Sequence, residues 1–300
     1  MRFLIYCGLW LFSHYACYAL EDIRGTFPDF ETSLKGYGRS ERQYRKKYRE
    51  GCTLPYVIMK DHFKALYDFD RDRQNQEINR AKIPRIIHQI WLGGALPEKY
   101  KAWTQTWQNW EGWEYRLWTD EDVKNLQLLN RKQYDEAKDY GEKSDILRYE
   151  ILYQCGGLYV DTDFECLNPQ FFDFAHQEYS FYLGIEPLEN DRLLCGNALL
   201  ASTPGHPLIE KIVEELKNQK AVKRNHCIQK TGPRYLTNIL YKHSELLGND
   251  GLVFPPTFFY PVLKLDTLES TKFYKPESAA VHYWENSWVL PLEVISLREL

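Results

Sequence analysis

The sequence lacks an excess of positive charge, since its 300 residues carry 38 Lys and Arg against 42 Asp and Glu, for a formal net charge of −4. A nucleic-acid-binding protein normally presents a basic face, so this class of protein is disfavoured. The seven cysteines contain no CxxC spacing, and neither a metal site nor a disulfide framework can be read from them. Internal repeats and low-complexity segments are absent as well. What remains is a globular composition with 44% hydrophobic residues, enough to bury a full core.

The chain also lacks a long unbroken apolar run. Met1 to Ala19 begins with a basic residue, Arg2, and continues as an apolar stretch that Ser13 and His14 interrupt. This pattern predicts a signal peptide or a signal anchor over residues 1–19, and hence a protein of the secretory pathway or one associated with a membrane. Residues 20–82 are charge-dense and are expected to form a mainly helical N-terminal region. Residues 83–300 are expected to form the main domain.

From Ile83 onward, apolar strands alternate with helices. Strands are predicted over Ile86–Trp91 and Glu114–Trp118, with a Trp-rich helix between them. Thr119 is followed three residues later by Asp122, which predicts a helix N-cap directly after the second strand. Such alternation is typical of a mostly parallel α/β sheet with helices on both faces.

The stretch from Glu142 to Pro169 contains the motif around which the chain is organised. Its first half predicts a helix, with Ser144 as a candidate N-cap and a Gly156-Gly157 stop. A short apolar strand, Leu158–Val160, follows and is of the kind that is buried on both faces.

Asp161 and Asp163 come directly after this strand. Residues i and i+2 of a strand point to the same side, with Cα atoms about 6.5–7 Å apart. Carboxylates at the carboxyl end of a buried strand are well placed for a ligand, and they suit magnesium or manganese rather than zinc. The pair therefore predicts a divalent-cation and ligand site rather than a solvated turn.

Two further groups of polar residues accompany the Asp-x-Asp. Asp145 and Arg148 lie at i and i+3 on the preceding helix, so their side chains are neighbours. They form either a structural salt bridge or a pair that holds sugar hydroxyls in the same cleft. His282 and Glu285 stand in an otherwise apolar C-terminal segment, where they are either structural or contacts of a metal or diphosphate.

Four segments together resemble a known family: IPRIIHQIW at 83–91, SDILRYEILYQCGGLYVDTDFECLNP at 144–169, TGP at 231–233 and HYWENSW at 282–288. They resemble glycosyltransferase family 32, the Asp-x-Asp sugar-binding group that includes yeast mannosyltransferases and vertebrate α-1,4-galactosyl- and N-acetylglucosaminyltransferases. More distantly, they are similar to the glucosylating domains of large clostridial toxins. The resemblance covers about residues 83–290.

The resemblance implies a GT-A-type fold, in which a mostly parallel central sheet flanked by helices joins a nucleotide-binding half to an acceptor half. It also implies a UDP- or GDP-linked sugar donor, Mn²⁺ or Mg²⁺ as the metal, and transfer of a hexosyl unit with retention of anomeric configuration. A glycan, a glycolipid or a protein would be the acceptor, and no nucleic acid would be bound.

The resemblance also assigns roles by position. Asp145 and Arg148 would hold the donor sugar, Asp161 would contact ribose and sugar hydroxyls, and Asp163 would bind the metal directly. The second metal ligand would be His282 or Glu285. The remaining donor-binding residues implied by the resemblance are Ile87, His88, Gln89, Trp91, Asn197, Ser287 and Trp288.

Other functions share part of this pattern. A phosphatase of the haloacid-dehalogenase type also ends a strand in Asp-x-Asp, but its motif lies near the start of the domain. A glycosidase needs its two carboxylates on different elements, at least about 5 Å apart and facing each other. A sugar-nucleotide-binding protein without turnover and a secreted effector that glycosylates a host protein remain the main alternatives to an enzyme of glycan or glycolipid synthesis.

Overall fold

The computed structural model describes residues 23–35, 54–72, 83–187, 193–219, 227–262 and 271–285. The predicted targeting segment over residues 1–19 lies outside the described residues. Two of the predicted donor-binding residues, Ser287 and Trp288, also lie outside them.

The strands of the main domain follow the predicted alternation closely. They are β1 (Ile86–Ile90), β2 (Glu114–Trp118), β3 (Gly157–Val160), β4 (Phe164–Cys166), β5 (Phe181–Ile185), β6 (Cys195–Ser202), β7 (Gly251–Phe254) and β8 (Ala280–His282). The helices are α1 (Phe30–Lys35), α2 (Leu54–Asp72), α3 (Glu98–Gln105), α4 (Asp120–Asn125), α5 (Arg131–Glu136), α6 (Tyr140–Cys155), α7 (Pro169–Glu178), α8 (Pro207–Leu216), α9 (Cys227–Lys230) and α10 (Pro233–Lys242). Two short 3₁₀ helices cover Ser244–Leu247 and Pro256–Phe258.

Six strands form one central sheet in the order β2-β1-β3-β6-β5-β7. β1 pairs in parallel with β2 and β3, and β5 pairs in parallel with β7. β6 runs antiparallel to both of its neighbours, so five strands share one direction and β6 opposes them. The predicted fold class, a mostly parallel α/β sheet flanked by helices, is confirmed. β4 and β8 form a separate antiparallel pair.

Two glycines allow the chain to pass from α6 into the centre of the sheet. Gly156 has φ = +65° and Gly157 has φ = +103°. A Cβ on Gly157 would approach the carbonyl oxygen of Ile86 in the adjacent strand to 2.6 Å. Since α6 must stop and β3 must lie directly beside β1, only glycine fits here, which confirms the predicted helix stop.

The start of α6 differs from the prediction. The helix begins at Tyr140, and the side chain of Asp139 accepts a hydrogen bond from the backbone N–H of Glu142. Asp139 is therefore the N-cap, and the prediction of Ser144 was wrong because an acidic cap one turn earlier satisfies the first free N–H groups. The other predicted cap is confirmed, since Thr119 and Asp122 form a capping box at the start of α4.

The described N-terminal helices share the core of the sheet domain. Phe30 on α1 and Phe63 on α2 are fully buried. Phe27, just before α1, packs its ring edge-on against Phe258 with 5.0 Å between ring centroids. The apolar stripe of α2 thus covers the side of the domain near β7, and the buried Asp70 of the same helix accepts a hydrogen bond from the hydroxyl of Tyr179.

Within the described part of the chain, none of the helices combines the length and the apolar character that crossing a membrane requires.

Candidate active site

A cavity of about 440 Å³ opens at the carboxyl ends of β1 and β3. Its walls come from these strand ends, from one face of α6, from β6, from the segment 227–234 and from β8 with Trp284. The carboxyl edge of neighbouring parallel strands is where ligands bind in open α/β sheets. Five predicted polar site residues meet there, namely Asp145, Arg148, Asp161, Asp163 and Asn197, together with His282.

Arg148 lies between two carboxylates of the cavity. Its guanidinium is 3.1 Å from Asp145 Oδ1 and 3.1 Å from Asp161 Oδ1, and it donates a 2.7 Å hydrogen bond to the carbonyl oxygen of Asn197. The guanidinium also lies over the ring of Tyr159, 4.5 Å from its centroid. Burial disfavours the charge, but Asp161, Tyr159 and Asp145 outweigh burial and raise the pKa of Arg148. Arg148 is therefore a fixed cation that connects the helix to the Asp-x-Asp.

Asp145 is surrounded by donors on both of its oxygens. Asn197 Nδ2 donates to Oδ1 at 2.7 Å, and the hydroxyl of Thr231 donates to Oδ2 at 2.8 Å. Burial raises the pKa of Asp145 to about 6, against the opposing effects of Arg148, Thr231 and Asn197. Thr231 is a residue whose role sequence reasoning missed. Its only signal was its place at the head of the TGP motif.

Asp161, Asp163 and His282 form a second cluster, with one ligand atom from each residue lying within 4.8 Å of the others. His282 Nε2 is 3.2 Å from Asp163 Oδ1. The pairing of β4 with β8 places Phe164 opposite His282 and so brings together groups 119 residues apart in the sequence. The structure thereby brings together Asp163 and His282, which the resemblance implied for the metal, and places beside them Asp161, which it implied for ribose and sugar hydroxyls.

The charges of the second cluster depend on one another. Burial alone would raise the pKa of Asp163, but His282 and the backbone N–H of Glu285 outweigh it and lower that pKa. Burial alone would lower the pKa of His282, and the neighbouring Asp163 raises it instead. Burial raises the pKa of Asp161, Arg148 opposes this effect, and the negative charge of Asp163 adds to it.

The donor set of this cluster fits a divalent cation. Two carboxylates and an imidazole are ligands that Mn²⁺ accepts, and carboxylates are those that Mg²⁺ prefers. His282 stacks on Phe164 with 4.6 Å between ring centroids, which fixes the plane of the imidazole. Its Nδ1 is buried without a hydrogen-bond partner among the described residues.

Glu285, the alternative metal ligand, is placed differently. Its carboxylate forms an ion pair with Lys99 on α3, while its backbone N–H donates a 2.9 Å hydrogen bond to Asp163 Oδ2. The side chain is thus turned towards the protein surface and its main chain supports the Asp-x-Asp. Of the two alternatives, this geometry favours His282.

The predicted donor-binding residues of β1 divide into two groups. Trp91 lines the cavity, with its ring centroid 4.9 Å from that of Tyr100. Gln89 does not line it, but its Nε2 donates a 3.2 Å hydrogen bond to the carbonyl oxygen of Asp161 and so supports the Asp-x-Asp from behind.

The geometry contradicts a donor contact for Ile87 and His88. Both side chains are fully buried away from the cavity. His88 Nε2 lies 2.9 Å from the carbonyl oxygen of Gly156, and its Nδ1 accepts a hydrogen bond from the indole N–H of Trp118. Burial lowers the pKa of His88 to about 4, which keeps the ring neutral. These residues fail as contacts because they lie within the pairing of β1 with its neighbours, before the strand reaches its carboxyl end.

Two more residues of the cavity were not found from the sequence. The hydroxyl of Tyr159 donates a 2.6 Å hydrogen bond to Asp161 Oδ1. Trp284 adopts φ = +58° and packs its ring 4.2 Å from that of His282, centroid to centroid. Each lies within two residues of a predicted site residue, and this proximity was the available signal.

Comparison with known proteins agrees with this geometry. Residues 97–181 match the family described as "Glycosyltransferase sugar-binding region containing DXD motif". The chain is 28% identical over 225 residues to inositol phosphoceramide mannosyltransferase 2 of Schizosaccharomyces pombe, covering 72% of this chain and 61% of the relative. It is 24% identical over 246 residues to subversion of eukaryotic traffic protein A of Legionella pneumophila, covering 73% of this chain and 37% of that protein. Among solved structures, the PaToxG glycosyltransferase superposes with a TM-score of 0.43 at 18% identity, over 64% of this chain and 83% of the other.

The sequence match supports the class of protein that the resemblance implies, since the matching family and the relatives are glycosyltransferases. More particularly, residues 97–181 match the DXD-containing sugar-binding region, which confirms the resemblance to family 32. The chain spans 43% to 61% of the length of the first three curated relatives that it matches.

Proposed function

We propose that this protein is a metal-dependent, retaining glycosyltransferase that moves a hexosyl unit from a UDP- or GDP-linked sugar to a glycan or glycolipid acceptor. The observation that carries the proposal is the convergence of Asp161, Asp163 and His282 within 4.8 Å, beside the Asp145–Arg148 pair in one cavity. A diphosphate needs a cation, and a sugar needs fixed hydrogen-bonding groups next to it. The cavity supplies residues suited to both.

Each residue has a role in this proposal. Asp163 and His282 would hold Mn²⁺ or Mg²⁺, with Asp161 next to them, and the bound cation would supply Lewis-acid neutralisation of the leaving diphosphate. Arg148 and Asp145 are locked by hydrogen bonds before any ligand arrives, so they can orient sugar hydroxyls at little cost in reorganisation. Trp91 offers an apolar face at the end of β1 for the base of the nucleotide.

We expect retention by attack of the acceptor hydroxyl on the face from which the diphosphate departs. Asp145 is a poor nucleophile because Arg148, Asn197 and Thr231 occupy both of its oxygens. Mass spectrometry of protein quenched during turnover tests this point. A glycosyl adduct on Asp145 or on another carboxylate of the cavity would overturn front-face attack.

The test of the function is a panel of nucleotide sugars with Mn²⁺, read as release of free nucleotide. Wild-type protein is compared with Asp163→Ala and with Asp135→Ala, a control at a carboxylate of α5 that is 61% exposed. We expect release from one donor, lost in Asp163→Ala and after chelation, and unchanged in Asp135→Ala. Release that survives both chelation and Asp163→Ala would refute metal dependence. Donors that bind without release would favour the binding protein without turnover.

A second candidate is a secreted effector that glycosylates a host protein. The similarity to subversion of eukaryotic traffic protein A, over 73% of this chain, favours it. The two candidates differ in acceptor, since one transfers to a glycan or lipid and the other to a protein side chain. Incubation with labelled donor and either a lipid extract or a cell lysate distinguishes them by where the label appears. Both require passage through the secretory pathway or export, and the predicted targeting segment over residues 1–19 supports either.

A further inference from the structure

The turn that follows β8 has a strained backbone. Of the described residues other than glycine, Asn109 and Trp284 have a positive φ, at +59° and +58°. Asparagine adopts this left-handed conformation readily, whereas for a side chain as bulky as tryptophan it is an outlier. Asn109 is exposed and lies outside the cavity, but Trp284 lines the cavity beside the imidazole of His282. Strain of this kind persists only where the surroundings impose it, and it concentrates at ligand sites.

The side chain of Trp284 is held by three neighbours. Its indole N–H donates a 3.0 Å hydrogen bond to the carbonyl oxygen of Val262. Its ring centroid lies 4.2 Å from that of His282 and 5.7 Å from that of Tyr260. A ring fixed on these sides leaves little freedom to the main chain that carries it. The packing of the ring is therefore the physical cause of the left-handed turn.

The two residues that flank Trp284 are anchored as well. The ring of Tyr283 stacks on that of Trp103 in α3, with 4.5 Å between the centroids and 12° between the planes. The carboxylate of Glu285 forms an ion pair with Lys99 of the same helix. Three consecutive side chains are thus each held by a described neighbour, and together they over-determine the path of the main chain.

The consequence of the turn is that two backbone N–H groups converge on Asp163. The N–H of Tyr283 donates to the carbonyl oxygen of Asp163 at 3.0 Å, as the register of β4 with β8 requires. Continued by two residues, the same register would direct the N–H of Glu285 to the carbonyl oxygen of Asp161. The turn directs it instead to Asp163 Oδ2, at 2.9 Å. The other carboxylate oxygen, Oδ1, is left facing Nε2 of His282 at 3.2 Å.

Resting on the proposed function, we propose that Trp284 is a positioning residue of the cation site, whose anchored ring imposes the turn that holds Asp163. The N–H of Glu285 occupies Oδ2, so Oδ1, the oxygen beside His282, is the one offered to the cation. Groups that orient a metal ligand typically change metal affinity by about 10–100-fold. The affinity for the cation should therefore depend on the backbone conformation of residue 284, although this residue supplies no ligand atom.

The experiment separates the backbone of residue 284 from its ring. Trp284→Gly and Trp284→Ala both remove the ring and its contacts, but only glycine adopts the left-handed conformation without strain. Trp284→Asn and Trp284→Leu form a second pair of similar size, in which asparagine alone tolerates this conformation. Asn109→Gly and Asn109→Ala are the matched control, since Asn109 has almost the same φ outside the cavity.

The dissociation constant of Mn²⁺ is measured for the full-length protein without nucleotide, from the electron paramagnetic resonance signal of the free ion. We expect Trp284→Ala to bind Mn²⁺ about tenfold more weakly than Trp284→Gly, and Trp284→Leu about tenfold more weakly than Trp284→Asn. The two Asn109 variants should both match wild type. Urea denaturation without metal, measured in parallel, shows whether each variant is folded.

Equal Mn²⁺ affinity of folded Trp284→Gly and Trp284→Ala would overturn the proposal, even if alanine lowers stability, because Trp284 would then be structural only. A similar difference between the two Asn109 variants would also overturn it, since the effect would then follow global stability. If Trp284→Ala does not fold, the asparagine and leucine variants give the same comparison. A folded glycine variant that binds Mn²⁺ more than about tenfold more weakly than wild type would assign the effect to the ring and not to the turn.

The same titration separates this proposal from the proposed function. Wild-type protein that does not bind Mn²⁺, or that binds it equally well after Asp163→Ala, refutes the metal dependence and this proposal with it. Mn²⁺ binding that Asp163→Ala abolishes, without a difference between the glycine and alanine variants, refutes only the role of Trp284.

Discussion

The two carboxylate clusters of the cavity differ in how completely the protein satisfies them. Asp145 contacts three donors, one each from Asn197, Thr231 and Arg148, which together occupy both of its oxygens. Asp163 has one imidazole and one backbone N–H, and a second carboxylate, that of Asp161, lies in the same cluster. The first cluster is complete without a ligand. In the second, Asp161 contacts Arg148 and the hydroxyl of Tyr159, whereas Asp163 contacts the imidazole of His282 and one backbone N–H.

This difference indicates which part of the site is structural scaffold and which part depends on a ligand. A buried carboxylate whose oxygens are all bonded is held in place before substrate binds, and it rigidifies the helix that carries it. Two carboxylates in one cluster repel each other until a cation joins them. Stability that depends on metal should therefore belong to the Asp163 cluster, and stability that depends on internal hydrogen bonds to the Asp145 cluster.

The largest expected effect comes from removing the residue that joins the two clusters. Arg148→Met leaves Asp145 and Asp161 buried without their cation, which typically costs about 3–5 kcal/mol in the free energy of unfolding. Urea denaturation measures this loss. Arg131→Met on α5, whose guanidinium is 3.8 Å from the exposed Asp135, should change stability by less than about 0.5 kcal/mol. Equal effects of the two substitutions would show that Arg148 does not hold the clusters together.

The second-largest expected effect concerns His88, a buried histidine outside the two carboxylate clusters, and its contribution to stability as the pH falls. The pKa of His88 is about 4 in the folded protein against 6.5 for the free side chain, so its neutral form stabilises the fold above pH 6.5. This contribution, about 3 kcal/mol, is lost as pH falls from 6.5 to 4, because the unfolded chain takes up the proton first.

The free energy of unfolding measured against pH, for wild type and His88→Gln, tests this prediction. The variant should lose less stability between pH 6.5 and pH 4 than wild type does. A slope in His88→Gln as steep as that of wild type would assign the acid sensitivity to other groups, among them His176 and His206, whose pKa values burial also lowers.

A smaller effect tests the ligand dependence of the Asp163 cluster. Mn²⁺ at about one hundred times its dissociation constant should stabilise wild-type protein by about 2.7 kcal/mol. His282→Ala should abolish most of this gain, whereas Thr231→Val should retain it. Thermal unfolding with and without Mn²⁺ is the measurement. A gain that His282→Ala leaves intact would place the cation elsewhere.

The smallest effect tests the Asp145 cluster alone. Thr231→Val keeps the shape of the side chain and removes its hydrogen bond to a buried carboxylate, at a cost of about 1.5–3 kcal/mol. Thr231→Ser keeps the hydroxyl and should recover most of this stability. Urea denaturation without metal is the measurement. If valine and serine give the same stability, Thr231 does not contribute to the anchoring of Asp145.

Local sequence patterns were sufficient to predict much of the fold. β2 has the predicted bounds, and the capping box at Thr119 was predicted correctly, because strands and caps depend on neighbouring residues. The end of α6 at Gly156 and Gly157 was also predicted from the sequence, since it depends on a backbone conformation that few residues other than glycine adopt. The α6 N-cap was wrong because a stronger cap lay one turn upstream.

The sequence predicted the site less well where the site depends on the direction of a side chain or on contacts between residues distant in the sequence. Ile87 and His88 belong to a motif of the family, yet the sequence does not show where along β1 the strand leaves the sheet and its side chains enter the cavity. Thr231 and Arg234 come from a segment more than 80 residues away from Asp145, and no local pattern indicates which residues of that segment turn inward.

The sequence by itself determined the alternation of strands and helices, the Asp-x-Asp at a strand end and the resemblance to family 32, because each rests on short stretches of neighbouring residues. Only the tertiary structure decided that His282 and not the carboxylate of Glu285 lies beside Asp163, and that Arg234 lies in the cavity wall without an ion pair among the described residues. The physical reason is that these arrangements depend on the pairing of β4 with β8 and on the packing of the segment 227–234 against α6. Both bring together residues that are far apart in the sequence, and the direction of each side chain is set by the packing of the whole domain.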